Sequence, residues 1–282
     1  MRKETRTVVL DDALRLEAYR FEGIVQPFPN HFHDYYVIGL VESGARRLVC
    51  NNRVYALGAG DMLLLNPSDS HGCVQADGGA FDYRAVNISK EIMAELSREI
   101  TGESGLPRFS ENVFRDSETS EHFRLLHEMI MCGGSEFEKE EALLILLTEL
   151  IRRTGKPFLE CVSRHAAPIE RACRFMDEHC GEHITLEQLC ECSGLSKSTL
   201  LRSFTKAKGV TPYRYLQTVR IGKAKELLER GAKPIDAAMQ TGFSDQSHFT
   251  NAFGTFIGLS PSVYKQVCCG DGKNPKGERN EV

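Results

Sequence analysis

Two similar segments, whose capping serines Ser196 and Ser244 are 48 residues apart, constrain the fold of this chain more than any other feature. Each segment combines a short helix of small and apolar residues, a glycine break, a serine cap and a second helix rich in polar residues. This is the layout of a helix-turn-helix, in which the second helix enters the DNA major groove. One copy would be weak evidence, but two copies at this separation predict a DNA-binding regulator.

The first unit carries clear helix-start signals. Thr185 and Gln188 form a capping-box pattern, Gly194 supplies the tight turn, and Ser196 caps the second helix. Side chains near the start of that second helix approach DNA in this motif. The candidates for DNA contact in the first unit are Ser198, Thr199, Leu201 and Arg202.

The second unit repeats this plan. Pro234 fits the first turn of a helix, Gly242 is the break, and either Ser244 or Asp245 is the cap. The side chains left for groove or phosphate contact are Gln246, Ser247, His248, Thr250 and Asn251.

The residue types suggest which contacts carry sequence information. Arg202 is the candidate for a bidentate bond to guanine, with a phosphate or an acidic neighbour as an equally weighted partner. Gln246 and Asn251 have the amides that recognise adenine. His248 is expected to contact a phosphate or a helix cap rather than to catalyse a reaction.

A single long helix is predicted between the two units, over residues 212–230. At 1.5 Å per residue it would be about 28 Å long. Successive major-groove faces on one side of a duplex are roughly 34 Å apart. One rigid helix would therefore place two recognition helices in adjacent grooves.

The N-terminal third has the pattern of antiparallel strands. Short apolar runs at 36–41, 47–50, 54–57 and 62–65 are separated by Gly, Asn and Pro signals, including the pair Asn51–Asn52. This spacing favours a β-barrel or jelly roll. From about residue 89 the apolar period becomes helical, and the run at 142–151 is more apolar than one buried stripe requires. That excess suits either a subunit interface or a fully buried helix.

The predicted fold class is α+β, with an N-terminal β-barrel or jelly roll, trailing helices and then an all-α domain. The expected divisions are a domain for effector binding and dimerisation at 8–153, a linker at 154–168, a DNA-binding domain at 169–267 with units at 186–207 and 234–257, and a disordered tail at 268–282.

Charge and composition agree with this division. Residues 168–266 carry 13 Lys and Arg against 10 Asp and Glu, whereas residues 1–167 carry 19 against 26. A positive balance suits a surface that faces phosphates. No apolar run approaches the roughly 20 residues that span a bilayer, and no apolar signal core follows the start. We therefore expect a cytoplasmic protein without membrane contact, whose ten cysteines are reduced thiols.

The C-terminal third resembles the AraC/XylS transcriptional regulators. The resemblance lies in the segment Gly242–Phe253, in Gly258-Leu-Ser-Pro-Ser-Val-Tyr264, and in Gly209-Val-Thr-Pro-Tyr213 after the first unit. It implies a seven-helix domain with two helix-turn-helix units joined by a long helix. Two positions depart from the family pattern: Asn251 stands where many members have Arg or Lys, and Pro234 where an aliphatic residue is usual. The second recognition helix is therefore expected to contribute less phosphate affinity than the first.

The N-terminal part resembles the cupin-type sensor domain found in such regulators. The resemblance lies in His31-Phe-His33-Asp34, Glu42-Ser-Gly44 and Gly60–Pro67 followed by His71. Metal-binding cupins add a glutamate a few residues after the His pair, a place that falls here on Val37 or Ile38. We therefore expect an effector pocket without a bound metal or other cofactor, while a three-His site suited to zinc or iron stays open. The effector-binding candidates are His31, His33, Tyr35 and His71, with Tyr36, Tyr55 and Tyr83 as further wall residues.

These features favour a transcription factor that binds promoter DNA as a homodimer, responds to a small-molecule effector and alters the recruitment of RNA polymerase. No catalytic residues are expected, because no nucleophile–base arrangement is evident. Two alternatives stay open: a cupin-type metalloenzyme with an accessory DNA-binding domain, and an effector-independent DNA-binding protein whose N-terminal half only dimerises.

Overall fold

The computed structural model describes residues 4–76, 78–103, 105–157 and 166–269. Its N-terminal part consists of antiparallel strands, as the apolar runs predict. These strands are β1 (Thr5–Asp11), β2 (Leu16–Ile24), β3 (Phe28–His31), β4 (Tyr36–Ser43), β5 (Arg46–Cys50), β6 (Arg53–Leu57), β7 (Met62–Leu65), β8 (His71–Gln75) and β9 (Phe81–Ile88).

Helices and three short strands complete the N-terminal part. They are α1 (Lys90–Thr101), β10 (Pro107–Phe109), β11 (Val113–Phe114), α2 (Ser117–Cys132), α3 (Glu136–Thr154) and β12 (Gly155–Pro157). The short strands were not expected, because two or three residues are too few to show an alternating pattern. β12 pairs with β10 and lies inside the predicted linker, of which residues 158–165 fall outside the described residues.

The strands form two main sheets, one in the order β1-β2-β9-β4-β7-β11 and one in the order β3-β8-β5-β6. Strand β4 explains why its sequence is a continuous apolar run. Tyr36 and Ile38 point to one side and pack with α1, α2 and α3. Val37 and Val41 point to the other side, into the core between the two sheets, and the two sheets with this core are called the barrel below. Because both faces of this sheet are buried, polar residues do not alternate with apolar ones.

The predicted hairpin turn at Asn51–Asn52 is confirmed. These two residues have φ angles of 48° and 64° and connect β5 to β6. Both angles lie in the left-handed region, which asparagine tolerates better than most residues and which a two-residue hairpin requires. The turn fixes the register of the smaller sheet.

The apolar run at 142–151 is mostly buried within the chain. Leu143, Leu146 and Leu147 pack into the core between α2, α3 and the larger sheet, but Ile145 is 47% exposed. On α2, Leu125 is 53% exposed. A few large apolar side chains therefore face solvent on an otherwise well-packed helix pair.

The C-terminal part is helical, as predicted. Its helices are α4 (Ala166–Glu178), α5 (Leu186–Ser193), α6 (Lys197–Lys208), α7 (Pro212–Glu229), α8 (Pro234–Gln240), α9 (Gln246–Ile257) and α10 (Pro261–Cys269). Helix α10 includes Cys268 and Cys269, which the sequence suggested were part of a disordered tail; residues 270–282 lie outside the described residues. No helix in the described ranges is long and apolar enough to cross a membrane.

The barrel and the C-terminal helices share one hydrophobic core. Barrel residues such as Leu48 and Leu65 belong to the same cluster as Ile221 of α7 and Phe253 of α9. A separate cluster packs α4, α5 and α6 around Leu200 and Phe204. The second helix-turn-helix is thus packed against the barrel, and the first has its own core.

Candidate functional site: the helix-turn-helix surface and the barrel pocket

The first helix-turn-helix consists of α5, a turn at Gly194 and α6. Thr185 and Gln188 form the reciprocal capping box that their spacing predicts. Gly194 has a φ of 72°, a left-handed conformation that glycine adopts without strain. Leu200 and Phe204 are fully buried, so the opposite face of α6 is turned to solvent.

The second helix-turn-helix consists of α8, a turn at Gly242 and α9. Asp245 caps α9, accepting a hydrogen bond of 2.7 Å from the backbone N–H of His248. Phe249 and Phe253 are fully buried and anchor α9. The first turns of α9 therefore expose their polar residues.

The predicted DNA-contact residues all have at least partly accessible side chains. Thr199 and Thr250 are half-buried, and the remaining candidates, Ser198, Leu201, Arg202, Gln246, Ser247, His248 and Asn251, are exposed. The Nε of Arg202 donates a long hydrogen bond of 3.4 Å to the Ser198 carbonyl. Within the described part of the chain Arg202 forms no ion pair, so the guanidinium can reach an external partner.

Helix α7 joins the two units, as predicted. It has 18 residues, which corresponds to about 27 Å. Pro212 lies in its first turn and Thr211 caps it, so the helix begins immediately after the first unit. It therefore connects the end of the first unit to the start of α8 in the second.

A cavity of about 110 Å³ lies inside the barrel, closed on one side by the end of α9. The four predicted effector-binding residues, His31, His33, Tyr35 and His71, all line it. The wall is otherwise mostly apolar and aromatic. It includes Tyr19, Phe21, Phe28, Leu48, Phe81 and Tyr83 from the barrel, and Phe256 and Ile257 from α9.

Two of the further tyrosines suggested by the sequence do not line the cavity. Tyr36 points away from the barrel interior and donates a hydrogen bond of 2.7 Å to the Pro107 carbonyl. It is adjacent to Tyr35, and successive side chains on an extended chain point to opposite faces. Tyr55 packs at the edge of the barrel core without reaching the cavity wall.

Burial keeps the titratable groups of the cavity uncharged. It lowers the pKa of His31 to about 3, with a further contribution from His71, and it also lowers the pKa values of His33 and His71. Burial raises the pKa of Tyr35 to about 12 and that of Cys73 to about 11. The cavity therefore presents neutral polar groups within an apolar wall.

A buried polar network joins the barrel to the C-terminal helices beside the cavity. Lys225 of α7 donates a hydrogen bond of 2.6 Å to Glu17 of β2, and its Nζ lies 4.7 Å from the ring centroid of Tyr35. The hydroxyl of Tyr264 of α10 lies within hydrogen-bond distance of carboxylate oxygens of both Glu17 and Glu229, which share its one proton. Sequence reasoning missed this network, and it missed Phe256 and Ile257 as wall residues, because nothing in the local pattern links residue 17 to residue 225.

Two protein families match the chain. The AraC-like ligand binding domain matches residues 14–151, and a helix-turn-helix domain matches residues 189–266. The HTH-type transcriptional regulator YbfI of Bacillus subtilis (strain 168) is 50% identical over 249 residues, which are 88% of this chain and 90% of that protein. The HTH-type transcriptional activator RhaS of Klebsiella pneumoniae (strain 342) is 26% identical over 248 residues, 85% of this chain and 88% of RhaS.

Solved structures of ToxT from Vibrio cholerae strain SCE256 share the fold. An apo variant aligns with a TM-score of 0.58 at 15% identity, covering 90% of this chain and 97% of that one. Unsaturated fatty acid-bound wild-type ToxT aligns with a TM-score of 0.56 at 17% identity, covering 97% of this chain and all of that one. The chain therefore belongs to the AraC/XylS family of helix-turn-helix transcriptional regulators, with an AraC-like ligand-binding domain ahead of its DNA-binding helices.

Proposed function

We propose that this regulator senses a small-molecule effector in the barrel cavity and transmits its binding to promoter DNA through α9. The observation that carries this proposal is that the two ends of helix α9 lie at two different candidate sites. The start of α9 exposes Gln246, Ser247 and His248, whereas its end places Phe256 and Ile257 in the cavity wall. One rigid helix of 12 residues therefore touches both candidate sites.

The size of the cavity suggests how an effector would act. An apolar cavity of about 150 Å³ holds benzene, so the roughly 110 Å³ here fits a ligand of only a few atoms. A larger effector would displace Phe256 and Ile257 and move α9. A ligand shifts such an equilibrium only by its difference in affinity for the two arrangements. The fatty acid named for ToxT supports an effector with an apolar body.

Arg202 tests the DNA-binding half of the proposal. We expect Arg202→Ala to weaken binding to the promoter site by about 1–3 kcal/mol while leaving binding to random DNA nearly unchanged, because a lost base contact affects only the specific complex. Titration of both DNAs at one salt concentration measures the two losses.

Lys206→Ala is the matched control, since it removes an exposed cation from the same helix. We expect it to weaken specific and random binding alike, as the loss of a phosphate contact does. An equal loss on both DNAs for Arg202→Ala would assign Arg202 to phosphate instead of base recognition. A full-length protein with no promoter preference would contradict the proposed function.

We further propose that the protein acts as a homodimer through the exposed apolar side chains of α2 and α3. Ile145 and Leu125 are 47% and 53% exposed. We expect Ile145→Glu to shift the protein from dimer to monomer, because a buried unpaired charge is costly at an interface. Light scattering after gel filtration would measure the mass. Val54→Glu, at a position 63% exposed on β6, is the control and should leave the mass unchanged.

Promoter DNA as the target implies action in the cytoplasm. RNA polymerase is the proposed downstream partner, supported by the designation of the relative RhaS as an activator.

A further inference from the structure

Three histidines converge at one end of the barrel cavity. His31 ends β3 and His71 begins β8, and the antiparallel register places these two residues directly opposite each other. His33 follows two residues after the end of β3. The ring centroids are separated by 4.4 Å for His31–His71, 4.7 Å for His31–His33 and 5.0 Å for His33–His71. Ring nitrogens of all three lie within 4.8 Å of one another.

The backbone orients two of these rings as it does in metal sites. The Nδ1 of His31 lies 2.7 Å from the Pro29 carbonyl, and the Nδ1 of His71 lies 2.9 Å from the Asp69 carbonyl. A carbonyl oxygen only accepts, so both Nδ1 atoms carry the proton and both Nε2 atoms keep a free lone pair. Metal-ligating histidines show this same arrangement, with the second nitrogen donating to a carbonyl or carboxylate.

The third ring is restrained by stacking. His33 lies parallel to Tyr35, with centroids 4.6 Å apart and planes 14° apart. Nitrogens bound to one tetrahedral zinc ion at about 2.1 Å are roughly 3.4 Å apart, so the site closes if each ring moves by about 1 Å or less. Movements of this size are small side-chain adjustments.

We propose that His31, His33 and His71 together bind one divalent transition-metal ion such as zinc. Neutral imidazoles suit zinc, iron, copper and nickel, and a three-His set with an open fourth position is an established arrangement for zinc. Among the described residues, the cavity wall supplies no carboxylate to complete the coordination. Because all three histidines line the cavity, the open position would be accessible from it.

The metal site would define the chemical class of the effector, and its biological role rests on the proposed function. An ion bound by three neutral ligands retains its full positive charge within an apolar wall. It would favour a small effector with an anionic oxygen, such as a carboxylate, in the open position. The ring of His31 packs edge-on against Phe256 of α9, with ring centroids 5.5 Å apart. An effector bound at the open position would therefore change the packing of the helix that also faces DNA.

Cobalt(II) is the probe for this site, because its visible absorption reports coordination. After treatment with a chelator, the full-length protein should bind one equivalent of Co²⁺ with visible d–d bands and without the near-ultraviolet charge-transfer band of thiolate ligands. Zinc should displace the cobalt. Absence of saturable binding, or a thiolate band from the cysteines, would overturn the proposal.

Substitution of His33 tests the ligands directly. His33 is the most accessible of the three, so His33→Ala is the variant that least disturbs the core. We expect it to lower cobalt affinity at least about a hundredfold, beyond the tenfold to hundredfold loss typical of an outer-shell partner. His179→Ala, which alters a partly exposed histidine on the loop after α4, should bind cobalt normally. Equal binding by His33→Ala and wild type would contradict the proposal.

Promoter binding by the metal-free and cobalt-loaded proteins separates this inference from the proposed function. Cobalt binding with the predicted spectrum supports the metal site even if no promoter is bound. Promoter binding without any metal uptake supports the proposed function and contradicts the proposed metal site.

Discussion

Lys225→Met is expected to destabilise the protein by about 3–5 kcal/mol, the usual cost of removing one partner from a buried ion pair. The side chains of Lys225 and Glu17 are only 12% and 11% exposed. Without Lys225, the Glu17 carboxylate keeps hydrogen bonds from Tyr264 and Asn87 but loses its counter-ion. Because the pair joins α7 to β2, its removal weakens the contact between the barrel and the C-terminal helices. The free energy of unfolding in urea measures it.

The double variant Glu17→Gln with Lys225→Met is the control. Removing both charges leaves no buried ion without a partner, because the other carboxylate near Lys225, that of Glu229 at 3.9 Å, is 39% exposed. Such replacements are often neutral. We therefore expect the double variant to recover most of the stability lost in Lys225→Met. If the double variant were no more stable than Lys225→Met, the lost stability would come from lost packing of the lysine stem instead of the unpaired charge.

The pH dependence should distinguish these two causes as well. Burial raises the pKa of Glu17, but Lys225 and the hydrogen bonds from Lys225, Tyr264 and Asn87 outweigh it, so the net pKa lies below the ordinary value of 4.5. A carboxylate with a lowered pKa stabilises the folded state above the unfolded pKa, and this contribution is lost as the pH falls through the folded value. In Lys225→Met burial is no longer offset by the lysine, so the pKa of Glu17 should be higher than in wild type. The stability difference between the two proteins should therefore be largest at pH values above the pKa of Glu17 in the variant and shrink as the pH falls through it.

The elements whose causes are local could be predicted from the sequence. The capping box at Thr185 and Gln188, the left-handed turn at Asn51–Asn52 and the breaks at the two helix-turn-helix glycines each depend on a few neighbouring residues. Strands β4 and β7 were predictable because burial on both faces makes them continuous apolar runs, whereas β5 and β6 were predicted from short runs between turn signals. The exposed face of each recognition helix follows from the residues needed in the core, which are Leu200 and Phe204 in the first unit and Phe249 and Phe253 in the second.

The cavity was only half predictable. The four effector-binding candidates came from one short segment and one later histidine, and all four line the cavity. The closing residues Phe256 and Ile257 were not predicted as wall residues, because their position depends on how α9 packs against β3. Contacts between residues more than 200 positions apart leave no periodic signal in the sequence, and the link between cavity and DNA surface arises from such contacts.

Gly242→Ala is expected to destabilise the second helix-turn-helix by about 2–5 kcal/mol. Its φ of 75° costs an alanine roughly 1–2 kcal/mol. A Cβ would also lie 2.8 Å from both the Cys180 carbonyl oxygen and Nη2 of Arg220, and such overpacking adds about 1–3 kcal/mol. Arg220 cannot easily move aside, because it donates hydrogen bonds of 2.8 and 2.7 Å to the carbonyls of Cys180 and Glu182. Urea unfolding followed by circular dichroism measures the loss.

Gly194→Ala is the matched control, because it changes the corresponding turn of the first unit. Gly194 has nearly the same φ, 72°, but a Cβ there would approach only Nη2 of Arg171, at 3.9 Å. Gly194→Ala should therefore lower the free energy of unfolding only by the cost of the left-handed backbone conformation, about 1–2 kcal/mol. Equal losses at the two glycines would mean that backbone strain alone makes glycine necessary. A larger loss at Gly242, with reduced promoter binding, would show that the turn after α4, helix α7 and the second helix-turn-helix are packed closely enough for one methyl group to disturb them.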